Sequence, residues 1–139
     1  ARQMETWAHG QAIFDALGID RVEHDRLRNI VVMGINTFGW TFKVNRRDVP
    51  AVKPYLRLTS PSGALWEWND PSSAERVEGS AVEFCRVVTQ TRNVLDTGLA
   101  VTGGTARQWM ASAQCFAGPP EKPPAPGSRF KQGRYNSEW

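Results

Sequence analysis

The chain has 139 residues, of which 40% are hydrophobic, and a formal net charge of +3. That length holds one domain with a real core, or part of one domain joined to a second. No apolar run approaches the roughly 18 residues of a transmembrane helix, and the charge is no nucleic-acid footprint. The segment from Pro119 to Trp139 carries Lys122, Arg129, Lys131 and Arg134 against Glu121 and Glu138, which leaves the body near neutral.

In chain order, Ala1 to about Leu17 reads as a helix, with Met4, Trp7, Ala8, Ile13, Phe14 and Leu17 at helical spacing and Gly18 as terminator. The sequence opens on Ala1 with no signal-peptide pattern and no N-cap before the helix. The expectation is a truncated chain from a cytoplasmic protein. A second helix follows from about Asp25, its N-cap, to Val44. The spread of Leu27, Ile30, Val31, Ile35, Phe38 and Phe42 predicts burial on more than one side. Asn45 to Pro54 turns polar and contains two prolines, which reads as a linker.

Tyr55–Thr59 and Leu65–Trp68 alternate around Ser60-Pro61-Ser62-Gly63 and predict a β-hairpin, with Leu56, Leu58, Leu65 and a tryptophan of Trp66 or Trp68 in the core. Glu75–Glu78 reads as a third strand. Ser80 caps a helix to about Thr91, with Phe84 on its inner side, and Leu99–Thr102 as a further strand leads to a last helix over 106–116. The Pro-rich stretch after Gly118 cannot continue that helix and is expected to be extended or disordered. The fold class is α+β. Three regions are expected: helices over 1–45, a small α+β domain over 46–118, and a tail over 119–139.

Few residues carry candidate chemistry. Glu5 and His9 stand four apart on a helix, hence on one face, and offer an oxygen and a nitrogen to one ion. By spacing alone, a Glu–His pair on a solvated face is the commoner reading, and two ligands fall short of the usual three or four. His24 is the other histidine, but a rise of about 1.5 Å per residue puts the end of the helix roughly 12 Å beyond His9, so it reads as a loop residue. The stretch Gly98 to Thr105 lacks a Walker lysine and reads as a turn and helix cap. Cys85 and Cys115 sit in apolar helical patterns and read as buried free thiols, with a disulfide between them as the alternative. The six tryptophans read as core aromatics rather than stacking platforms for bases. No serine lies in a nucleophile elbow.

Met4-Glu5-Thr6-Trp7-Ala8-His9 resembles the last helix of the metal-binding domain in the DinB-like, mycothiol-dependent maleylpyruvate isomerase family. Leu65-Trp66-Glu67-Trp68, Glu83-Phe84-Cys85 and Gln114 to Pro120 extend the resemblance to relatives whose C-terminal part is labelled wyosine-base-formation-like. The resemblance implies the C-terminal half of such a protein: a remnant of a helical bundle followed by a small sterol-carrier-like α+β domain. It implies that Glu5 and His9 are two of three ligands to a divalent ion, zinc first, the third being a histidine on an upstream helix. Mycothiol would be the thiol cosubstrate, activated by the metal for isomerisation or group transfer on a small electrophile. A non-catalytic ligand- or partner-binding module is the alternative. Ala12 stands where the family commonly has an acidic residue, with Asp15 as a partial substitute. Trp40, Phe42, Arg46 and Arg47 are the expected wall of the cleft, either arginine facing a carboxylate of substrate or cofactor. No membrane and no nucleic-acid partner is expected.

Overall fold

The computed structural model describes residues 27–127. The elements in order are α1 (Arg28–Asn36), α2 (Phe38–Val44), β1 (Tyr55–Thr59), β2 (Leu65–Trp68), β3 (Arg76–Ser80), α3 (Ala81–Val88), a 3₁₀ turn at Val94–Asp96, β4 (Ala100–Thr102) and α4 (Gly104–Ser112). The strands form one sheet in the order β2-β1-β3-β4. β1 pairs antiparallel with β2 and parallel with β3, and β3 pairs antiparallel with β4. This is an α+β fold.

The span expected as one helix to Val44 breaks at Thr37. Its hydroxyl donates to the carbonyls of Met33 (2.8 Å) and Gly34 (3.1 Å), competing with the backbone ladder. The backbone of Thr37 leaves the helical region at φ −98°, ψ 13°, which separates α1 from α2. The expected cap Asp25 lies outside the described residues.

Register decides which side of the sheet is buried. Leu56 faces Trp68 and Leu58 faces Trp66, so these four share a face with Val77 and Val101. Leu56, Leu58 and Val77 are fully buried, and Trp66, Trp68 and Val101 pack partly against the same core. Leu65 is one residue out of phase with that set and is 48% exposed. The expectation of Leu65 in the core is therefore corrected, because a one-residue offset sends a strand side chain to the opposite face. That other face carries Tyr55, Arg57, Glu67, Arg76 and Glu78. Tyr55 donates to Glu67, Arg57 and Arg76 both approach Glu78, and the Arg76 guanidinium lies 5.3 Å from the Tyr55 ring centroid. The hydrogen bond to Glu67, foremost, pushes the Tyr55 phenol above its ordinary value.

The helices close over the apolar face. Gly34 lets α1 lie against α3, since a Cβ there would stand 2.9 Å from Val88 Cγ2 and 3.1 Å from Phe84 Cε2. Phe38 and Phe42, one turn apart, meet at 5.0 Å. Trp109 of α4 meets Phe38 edge-on at 5.1 Å and Phe84 at 5.6 Å, offset and tilted geometries that aromatic rings favour. Residues 28–44, grouped by the sequence with the N-terminal helices, thus share one core with the sheet, α3 and α4.

The expected cap of α3 is present: Ser80 Oγ accepts from Glu83 N. α3 ends at Val88, earlier than expected, where Thr89 Oγ1 donates to Cys85 O at 2.7 Å. α4 starts at Gly104 and ends at Ser112, ahead of the expected span. Beyond α4, buried Gln114 organises the chain. Its amide nitrogen donates to Phe116 O and Pro119 O, and its oxygen accepts from Glu121 N. The stretch after Gly118, without regular structure to residue 127, is fastened to the body. Gln90 donates to Glu121 O, Asn93 to Pro124 O, and Gly127 N to Asp96.

Candidate functional site

The Val94–Asp96 turn, β4 and one face of α4 enclose a groove of about 560 Å³. Its apolar surface comes from Val94, Leu95, Leu99, Val101, Met110 and Ala111; its polar residues are Asn93, Thr97 and Arg107. Local chemistry fixes both walls. Asn93 caps the 3₁₀ turn by accepting from Leu95 N, which holds Leu95 outward at 75% exposure. On α4, Arg107, Met110 and Ala111 follow at i, i+3 and i+4 and therefore share a face. Met110 is buried at the groove's base while Arg107 is exposed. This volume lies within the range of small-molecule sites.

The start of α4 is fixed by a carboxylate from across the chain. Glu75 Oε1 accepts from Ala106 N at 2.9 Å. Gly103 has φ +96°, and a Cβ there would lie 2.2 Å from Ala74 O and 2.4 Å from the Glu75 carboxyl. With a carboxylate on its first turn, this helix end is capped by charge complementary to its dipole, as expected of a turn and cap rather than a phosphate cradle.

Trp40, expected in the cleft wall, is 38% exposed on α2 and donates its indole N–H to Phe116 O at 3.0 Å. Arg46 and Arg47 are exposed just beyond α2, and their backbone N–H groups close the helix on Lys43 O and Phe42 O. Arg46 takes a positive φ of 57°. These three residues form no part of the lining of the groove. Glu5, His9, Ala12, Asp15 and His24 lie outside the described residues. Among the described residues no group of three His, Cys, Asp or Glu side chains is placed to hold a metal ion, so these residues do not by themselves fit the implied zinc.

Both cysteines are free and buried. Burial pushes the Cys115 thiol up to about 12, which keeps it protonated and unreactive at neutral pH. Cys85 Sγ faces Leu27 O at 3.9 Å.

Sequence reasoning missed the groove. Its walls come from three successive segments of different kinds between Asn93 and Ala111, and the periodicity of any one of them does not register their meeting. The available signal was Val94-Leu95, an apolar pair inside the polar run Thr91 to Thr97.

Two proteins of Mycobacterium tuberculosis, from strains H37Rv and CDC 1551, are similar to this chain, and each is described as an uncharacterized protein. Each is 44% identical over 120 residues, covering 86% of this chain and 47% of the relative. The chain spans about half the length of the curated relatives it matches. No family model matches the chain. No solved structure matches it. No helix among the described residues is long and apolar enough to cross a membrane.

Proposed function

We propose that residues 27–127 are the substrate-holding part of a metal-binding, thiol-dependent cytoplasmic enzyme that acts on an electrophilic small molecule. The observation that carries the holding role is the groove between the 3₁₀ turn, β4 and α4, with apolar walls and few polar groups, the usual make-up of a small-molecule site. The metal part rests on Glu5 and His9, one turn apart in sequence terms and set in a stretch that resembles the metal helix of the mycothiol-dependent family. In this reading the third ligand belongs to an upstream histidine, and mycothiol is the cosubstrate. The length of the relatives, about twice the matched stretch, leaves room for such a segment.

A non-catalytic binding module is the second reading, since the same groove would hold a ligand without any metal. The two part company in one experiment on the protein expressed with its whole reading frame. Zinc content is measured for the parent, Glu5→Ala and His9→Ala, and thiol-dependent turnover of electrophiles is assayed alongside. Zinc that depends on both residues supports the enzyme; a folded protein free of zinc in every form supports the module.

A further inference from the structure

The polar groups around the groove are not equally available. Asn93 is engaged at both ends: its oxygen accepts from Leu95 N at 2.9 Å and its amide donates to Pro124 O at 3.1 Å. Thr97 is engaged as well, since its hydroxyl donates to Val94 O at 2.7 Å and accepts from Leu99 N at 3.3 Å. The nearest carboxylate in sequence, Asp96, does not line the groove and accepts from Gly127 N at 2.8 and 3.0 Å. That leaves the Arg107 guanidinium as the lining polar side chain with no hydrogen bond or ion pair among the described residues. Among the described residues no carboxylate lies within ion-pair distance of it. Among the described residues no acidic side chain lines the groove.

We infer that the groove selects a ligand with an apolar body and a single carboxylate, the carboxylate pairing with Arg107. This deepens, and rests on, the reading of the groove as a small-molecule site. The apolar walls reward a hydrocarbon or aromatic body in proportion to the area removed from water. They offer little to a second polar group: Asn93 keeps one amide N–H and Thr97 one lone pair, and their internal hydrogen bonds cannot be exchanged without leaving a backbone partner unsatisfied. A guanidinium presents paired N–H donors that match a carboxylate. A cationic ligand would meet repulsion from Arg107 and find no counter-charge in the lining. A neutral ligand of the same shape would keep the apolar contacts and lose the charge-assisted ones.

The probes are octanoate and octan-1-ol, titrated separately into the ¹⁵N-labelled 139-residue chain at neutral pH and low ionic strength. Octanoate is expected to bind roughly tenfold more tightly than the alcohol. Amide shifts should centre on Val94, Leu99, Val101 and Ala111. Arg107→Gln should erase the preference without weakening the alcohol, Arg107→Lys should keep part of it, and added salt should diminish it. Ala111→Trp, on an exposed helix position, fills the groove and should abolish binding of both probes in a chain whose spectrum stays folded. Equal affinities that map to the groove and ignore Arg107→Gln overturn the carboxylate inference and leave the groove reading standing. Shifts elsewhere, no binding of either probe, or binding that survives Ala111→Trp overturn the groove reading and this inference together.

Discussion

Phe84→Ala probes the junction on which the architecture depends. Phe84 is fully buried on α3, meets Trp109 of α4 edge-to-face at 5.6 Å, and packs where Gly34 brings α1 close. Truncation removes contacts to α1 and α4 at once and leaves a cavity that those packed partners cannot readily collapse. A buried Phe→Ala change of this kind costs roughly 3–5 kcal/mol, including the lost ring pair. A domain of this size holds about 5–15 kcal/mol of stability, so the variant should be folded but fragile. In urea, with a slope of about 2 kcal/mol/M, the midpoint should fall by on the order of 2 M at unchanged slope. Val52→Ala is the control, since Val52 is 71% exposed, and it should change stability by no more than about 0.5 kcal/mol. A loss below about 1 kcal/mol for Phe84→Ala would refute the shared core of α1, α3 and α4.

Two further outcomes rest on backbone geometry and on burial. Gly63 and Gly103 both have positive φ, +92° and +96°, but only Gly103 has a backbone carbonyl and a carboxylate where a Cβ would go. Gly63→Ala should therefore cost about 1–2 kcal/mol of left-handed strain, and Gly103→Ala distinctly more; thermal melts of the pair giving equal losses would remove the close approach from the account. Cys115, with an ordinary value of 9.0 raised by burial to about 12, keeps its proton in the folded chain while the unfolded chain releases it. The unfolded state then binds fewer protons between these two values, so stability present below about pH 9 should decline as pH rises above it. Cys115→Ala should flatten that decline by up to about 1.4 kcal/mol per pH unit, and an unchanged alkaline slope in urea titrations would show that the thiol ionises in the folded chain.

The hairpin was legible because its signals are local: two short alternating runs flank a Ser-Pro-Ser-Gly turn, and Ser60 closes that turn through Ala64 O and Gly63 N. The α3 cap was legible for the same reason, since Ser80 and Glu83 lie three apart. Errors arose where a contact that side-chain spacing does not record decides. Leu65 looks like a core residue until the pairing of Leu56 with Trp68 sets the phase of the whole strand. The break at Thr37 depends on whether a hydroxyl turns back onto Met33 and Gly34, which apolar spacing does not record. The start of α4 depends on Glu75, thirty-one residues earlier. The candidate site divides along the same line. The metal reading of Glu5 and His9, which lie outside the described residues, rests on resemblance rather than on spacing, whereas Arg107 acquires a candidate role only when the 3₁₀ turn and β4 fold against α4.

The most direct measurement of the central claim is the zinc content of the protein expressed with its whole reading frame, beside Glu5→Ala and His9→Ala forms checked for folding. The account predicts about one zinc per chain in the parent and loss of that zinc in each variant, with octanoate binding at the groove retained. Stoichiometric zinc that survives both substitutions, or a folded parent that binds none, would contradict it.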